Sequence, residues 1–228
     1  MTKYEKLFFD VDDTLIDFKA AEKVALPIVF KEYKMDFTEE VESYYKTLNR
    51  QLWTALEHGE ITREQLLERR FHETMQHFGQ KVDGREMDEQ YRSLLVNTVV
   101  LIDGAEQVLS QLSEKYELYI VTNGMIKTQH DRLKAANLTP YFKRIFVSEE
   151  TNYQKPQIEF FNYVMSNVED FKKSTSMIIG DSFSADIMGG FNAGIDTCWL
   201  NAHNQKVEST IQPTYIISKL HDLAEVLL

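Results

Sequence analysis

The chain carries a single cysteine, Cys198. One thiol excludes an intramolecular disulfide and a zinc site built from several cysteines, so the chain fits a reducing compartment, with Cys198 expected to pack in a core. Positive charge is scarce as well: 25 lysines and arginines stand against 36 aspartates and glutamates, a formal charge of -11. Such a surface repels polyanions at long range and shows no basic stripe, which argues against a nucleic-acid polymer or an anionic membrane as partner. No apolar run approaches the length of a membrane span, and the N-terminal MTKYEKLFFDV meets carboxylates after a short one. The expected location is cytoplasmic. With nine glycines and four prolines, the chain also lacks a Gly/Ser linker, a low-complexity segment and an internal repeat.

What is present is an ordinary globular composition, 43% hydrophobic and 27% charged over 228 residues, enough for one large domain or a domain carrying a smaller one. Leu7 to Val11, Leu118 to Thr122, Ile145 to Val147, Met177 to Ile179 and Thr197 to Leu200 read as short strands, the last four alternating with helix-like stretches. That alternation predicts a parallel sheet with helical crossovers. Between Asp17 and about Val96 the strands give way to charged, helix-patterned sequence. One segment there, Thr62 to Phe78, opens on a capping box of Thr62 and Gln65 and sets Leu67, Phe71, Met75 and Phe78 on one face. Pro27 is expected to kink or break the first helix of this stretch. The expectation is therefore a core of residues 1–16 and 97–228, with 17–96 inserted as a helical cap.

Polar residues gather behind the predicted strands: Asp10 and Asp12 after the first, Thr122, Asn123 and Gly124 after the second, and Gly180, Asp181, Ser182 and Asp186 after the fourth. In open parallel sheets these ends share one crevice, where ligands bind. Asp10, Asp12, Asp181 and Asp186 together would form a negative pocket that calls for a cation, and carboxylates without His or Cys suit Mg²⁺. Thr122 and the backbone N–H groups of Asn123 and Gly124, at a predicted helix start, suit a phosphate. Lys155, ahead of Pro156 at an expected first helical position, adds positive charge. Taken singly, each signal is an ordinary turn or cap. Their joint order along the chain points to phosphoryl transfer.

DVDDT at Asp10 to Thr14, TNG at Thr122 to Gly124, KP at Lys155 and Pro156, and GDSFSAD at Gly180 to Asp186 resemble, in order, the four motifs of the haloacid dehalogenase (HAD) superfamily. The insertion resembles that superfamily's C1 helical cap. Longer strings, among them FFDVDDTLIDF, LWTALEHGEITREQLLERRF, QHDRL, FVSEE and DIMGGFNAGIDTCWLN, are similar to pyrimidine 5'-nucleotidases of the YjjG/YfnB type. The resemblance implies an α/β, Rossmann-like parallel-sheet core with an inserted cap, and an Mg²⁺-dependent phosphatase acting through an aspartyl-phosphate. Asp10 would be the nucleophile and Asp12 the acid and base. Asp10, the backbone carbonyl of Asp12, and Asp181 would hold the metal, with Asp186 supporting the metal or Lys155. Thr122, Asn123 and Lys155 would bind the substrate's phosphate. Asp13 and Asp17 match no catalytic position and suit capping or hinge roles. Asn152 stands where relatives commonly have glycine, and asparagine tolerates a left-handed backbone.

The implied substrate is a small phosphorylated metabolite, a pyrimidine nucleoside 5'-monophosphate, with a sugar or organic acid phosphate as the alternative and a catalytically silent binding protein behind both. Asp12 argues against a dehalogenase, which lacks an acid at that position. The expected assembly is a monomer or homodimer. In the insertion, Tyr44, Tyr45, Asn49, Arg50 and Trp53 could face a base or sugar, although aromatic residues at helical spacing are more often core.

Overall fold

The computed structural model describes residues 3–227. The chain forms β1 (Lys6–Phe9), then α1 (Phe18–Glu32), α2 (Glu39–Glu57), α3 (Arg63–His77) and α4 (Gly84–Asn97). It continues through α5 (Ala105–Ser113), β2 (Glu117–Thr122), α6 (Ile126–Ala135), β3 (Phe142–Val147), α7 (Ile158–Ser166) and β4 (Ser176–Gly180). The last elements are α8 (Met188–Ala193), β5 (Asp196–Leu200), β6 (Tyr215–Ile217) and α9 (Leu223–Leu227). The described chain divides into two compact units, one from the segments up to Phe18 and from Val99 onward, the other Lys19–Thr98.

In the first unit six parallel strands form one sheet in the order β3-β2-β1-β4-β5-β6. Side chains alternate between its faces. Leu7, Phe9, Leu118, Ile120, Met177 and Ile179 belong to one apolar core with Leu109 and Leu112 of α5, Leu133 of α6 and Leu223 of α9. Phe8, Tyr119, Val121 and Ile178 belong to the other with Phe160, Phe161 and Val164 of α7. Burial on both faces explains why the central strands read as unbroken apolar runs. Cys198 lies in the first core, as expected, and burial pushes its thiol up to about 12. The chain runs from β1 to β2 on one side and later returns to β4 on the other, so the carboxyl end of β1 is the switch point where such sheets bind ligands.

Several details depart from the sequence reading. β1 stops at Phe9, two residues short of Val11, and β3 starts at Phe142, ahead of Ile145. The short β6 was not anticipated. No break occurs at Pro27: α1 runs through it, because Pro27 and Lys23 lie on the exposed face, where the carbonyl freed by proline meets water, while Ala21, Ala25, Leu26, Val29 and Phe30 are buried opposite. Pro156 precedes α7, whose N-cap is Gln157, and so is not the first helical residue. Asn152 is not among the residues with a left-handed backbone.

In the second unit, α3 opens on the capping box of Thr62 and Gln65. Its buried face is Leu66, Arg70, Phe71, Thr74 and Met75, with Leu67 and Phe78 only partly buried. The difference from the predicted stripe is Arg70, a charge in the core. Its Nε donates to Asp88 Oδ1 at 2.8 Å, while Arg92 Nε donates to Asp88 Oδ2 at 2.6 Å. Tyr91, wholly buried, donates to Glu22 at 3.2 Å. Tyr45 packs its ring against Phe30 and Phe71, and Trp53 packs with Leu52, Leu56 and Leu66. The core reading holds for Tyr45, whereas Trp53 and Tyr44 are half-buried, Tyr44 stacked on His77 at 4.0 Å, and Arg50 is exposed. Removing Asp88 strands a buried guanidinium. We expect Asp88→Ala to destabilise this unit by about 3–5 kcal/mol in a denaturant titration, whereas a loss below about 1 kcal/mol would mean that Arg70 reaches water.

Candidate active site

Beyond β1, the Asp10 N–H continues the ladder by donating to Ile179 O at 2.9 Å. The chain then turns tightly: the N–H groups of Leu15 and Ile16 both donate to Val11 O at 2.9 Å, with Asp13 left-handed at φ 56°. Asp13 accepts from the Phe18 N–H at 3.1 Å and so caps the start of α1, a local role consistent with its lack of a catalytic match. Thr14, buried in the turn, accepts from the Asp181 N–H at 3.1 Å, and the Trp199 indole donates to Asp181 O at 2.8 Å. Two elements thus fix the backbone of Asp181.

The centre of the site is Lys155, whose side chain is 2% exposed. Its ammonium donates to Asp10 Oδ1 at 2.7 Å, Asp186 Oδ1 at 2.7 Å and Val121 O at 2.9 Å, which uses all three N–H bonds. Burial opposes the charge, but Asp10 and Asp186 outweigh it, and the lysine pKa stands above its usual value. The other Asp186 oxygen accepts from the Ser182 N–H at 3.0 Å. Asp186 therefore supports the lysine with one oxygen and its own loop with the other. Asn123 grips the Lys155 backbone from both sides, accepting from its N–H at 2.9 Å and donating to its carbonyl at 3.0 Å. The Asn123 side chain thereby places Lys155, while the phosphate contact expected of this residue is through its backbone N–H.

Oxygen atoms of Asp10, Asp181 and Asp186 lie within 4.8 Å of one another. Burial pushes the Asp10 carboxyl up to about 7, with Asp186 and Asp12 adding to the rise and Lys155 opposing it. Crowded carboxylates of this kind favour either a bound proton or a bound cation. The donors are all hard oxygens, with no histidine or cysteine in the group, and fit Mg²⁺.

The Asp12 carboxylate stands outside this group, two residues from Asp10 but held by different partners. Arg132 Nη1 donates to its Oδ1 at 2.5 Å and Gln129 Nε2 to its Oδ2 at 2.9 Å. Gln129 Nε2 also donates to Thr122 Oγ1 at 2.8 Å, and the Gly124 N–H donates to the same oxygen at 3.2 Å. With two donors on the Thr122 oxygen, its remaining capacity is the O–H, available to an incoming oxyanion. Sequence reading assigned no role to Gln129 and Arg132, which entered only within the string QHDRL. The available signal was their i, i+3 spacing just after TNG, which places both polar groups on one helix face near the strand ends.

An aspartate cluster around a buried lysine at the switch point of a parallel sheet defines a hydrolase-type α/β site. Residues 7–200 match the haloacid dehalogenase-like hydrolase family, and the chain belongs to it. It is 44% identical over 227 residues to the HAD-hydrolase YfnB of Bacillus subtilis, covering 100% of this chain and 97% of that one. A crystal structure of YfnB, bound to magnesium and described as revealing interdomain movement, matches with a TM-score of 0.94 over 99% of each chain. Two relatives named as pyrimidine 5'-nucleotidases also match end to end. PynA of Streptococcus pneumoniae is 39% identical over 98% of this chain and 95% of its own, and YjjG of Escherichia coli is 32% identical over 99% and 98%.

Gly180 gives the sharpest steric test of the site, because a Cβ there would lie 2.1 Å from Asp186 Oδ2 and 2.3 Å from its Cγ. Gly180→Ala is expected to displace Asp186, loosen Lys155 and lower stability by about 1–3 kcal/mol. Denaturant unfolding with a parallel activity assay checks this, and a variant indistinguishable from the parent in both would show that Asp186 need not occupy that position.

Proposed function

We propose that the protein is an Mg²⁺-dependent phosphatase that hydrolyses a pyrimidine nucleoside 5'-monophosphate. The observation that carries this reading is the juxtaposition of Asp10, the buried cation Lys155 and the separately held Asp12 at one strand end. The end-to-end similarity to two proteins named pyrimidine 5'-nucleotidases supports the substrate class.

In this reading Lys155 fixes the rotation of the Asp10 carboxylate, one oxygen of which attacks phosphorus. The bond from phosphorus to the nucleoside oxygen breaks, and Asp12, which must enter this step as the neutral acid despite its Arg132 contact, gives that oxygen its proton. Asp12 then takes a proton from water, which attacks the aspartyl-phosphate, freeing inorganic phosphate and restoring Asp10. The Thr122 O–H and the positive charge of Lys155 stabilise the phosphoryl oxygens. Asp10 and Asp181 would hold Mg²⁺, which supplies charge neutralisation for the phosphate. Unit Lys19–Thr98 would act as the cap that selects the leaving group, since every catalytic candidate lies outside it. Within the other unit, its two junctions are tied together where Ile16 bridges Leu101 and the Asp17 N–H donates to Val100 O at 2.8 Å.

Excess chelator should remove turnover and Mg²⁺ should restore it. Asp10→Asn should abolish both turnover and phosphoenzyme, whereas Asp12→Asn should slow an alkyl phosphate by on the order of 10²-fold or more and a good leaving group by less. Full turnover in chelator would exclude the metal-dependent reading, and an active Asp10→Asn would exclude the covalent one.

In a screen of phosphate monoesters ranked by kcat/KM, pyrimidine nucleotides should lead, with purine nucleotides poorer. A ranking headed by sugar phosphates would leave a phosphatase but remove the nucleotidase.

A further inference from the structure

We propose that Arg132 and Gln129, one turn apart on α6, are positioning residues for the proton transfer carried out by Asp12. The inference rests on the acid/base reading of Asp12 and assigns to α6 a role that the four motifs do not contain. Arg132 is buried, with its side chain 1% exposed. Its Nη1 donates both to Asp12 Oδ1 and to Gln129 Oε1, the latter at 2.9 Å. Its guanidinium lies 5.5 Å from the centre of the Phe18 ring. Gln129 completes the grip by holding the other Asp12 oxygen and, with the same amide nitrogen, the Thr122 hydroxyl. One side chain therefore ties the candidate acid/base to the candidate phosphate donor, and the two carboxylate oxygens of Asp12 are fixed from two points on a rigid helix.

Two independent observations set this arrangement apart from ordinary core packing. The first is that Nε and Nη2 of Arg132 are buried with no hydrogen-bond partner among the described residues. A half-satisfied buried guanidinium weakens a fold, and an apolar side chain of similar volume would serve packing better. The second is Gly124, the glycine of TNG, where a Cβ would lie 2.5 Å from Cγ, 2.6 Å from Cδ and 2.7 Å from Nε2 of Gln129. The absence of a side chain at that position leaves the space through which Gln129 reaches Asp12 and Thr122.

Proton transfer matters most when the leaving group is a poor one, so a misplaced Asp12 has a kinetic signature that general damage lacks. The experiment compares kcat/KM for a nucleoside 5'-monophosphate and for an aryl phosphate with a good leaving group, in Mg²⁺, for the parent protein, Arg132→Met, Arg132→Lys and Gln129→Leu. Expected for Arg132→Met is a loss of about 10²-fold on the alkyl substrate and under about threefold on the aryl one, with a Tm equal to or above the parent's. Arg132→Lys should recover part of the alkyl activity, and Gln129→Leu should show the same selectivity more weakly. Equal losses on both substrates, or no loss on either, overturn the proposal. Should Arg132→Met fail to fold, Arg132→Lys and Gln129→Leu decide by the same ratio. A parent protein inert toward every phosphate monoester removes the phosphatase reading and this inference together, whereas an active parent with flat variant losses removes only the inference.

Discussion

Much of the first unit's geometry depends on keeping one buried ammonium charged. Lys155 has almost no access to water, so its charge survives only because Asp10, Asp186 and the Val121 carbonyl accept hydrogen bonds from all three of its N–H groups. Asp10 follows β1, Val121 lies near the end of β2 and Asp186 lies in the helical turn Phe183–Ile187 after β4, so the lysine ties the segments at three adjacent strands to one point. The requirement spreads outward. Asn123 must hold the Lys155 backbone, Gly180 must lack a side chain so that Asp186 can approach, and Ser182 must occupy the second Asp186 oxygen. A buried ion set of this kind is a poor source of net stability, since the cost of taking the charges out of water offsets their attraction. Its value lies in fixing where the Asp10 carboxylate stands.

Asp10 and Asp12 show how one short turn places two like side chains in different electrostatic surroundings. Asp10 faces Lys155 together with two further carboxylates, in the group suited to a hard cation. Asp12 faces Arg132 and Gln129 on α6. Divergent surroundings for paired carboxylates are what the proposed mechanism needs, since it takes a nucleophile and a proton carrier from the same residue type. The turn that allows this is closed by Val11 accepting from both Leu15 and Ile16, with Asp13 left-handed to admit the reversal.

The second unit, Lys19–Thr98, is held by other means. Its aromatic side chains pack on one another, and several polar groups pair within it, Arg70 and Arg92 with Asp88 and Tyr91 with Glu22. The residues most suggestive of base recognition by type, Tyr45 and Trp53, contribute to packing. The proposed substrate class accordingly rests on the similarity to named relatives.

By itself the sequence determined the layered α/β class and the parallel sheet, because apolar strand runs and crossover helices are properties of local order along the chain, and its four motifs carried the resemblance to a hydrolase family. It also marked the capping box at Thr62 and the core placement of Cys198, both set by neighbours or by hydrophobicity alone. Strand limits and the unbroken α1 escaped it, since hydrogen-bonding partners and the exposed side of Pro27 are set by distant segments. The partners of each site residue were likewise decided only by the tertiary structure. No spacing rule says that Asp12 meets Arg132 while Asp10 meets Lys155, that Asn123 holds a backbone, or that Arg70 enters a core as a charge. Those outcomes depend on helices and strands far apart in sequence being brought within hydrogen-bonding distance, where a buried charge must find its partner or not be buried at all.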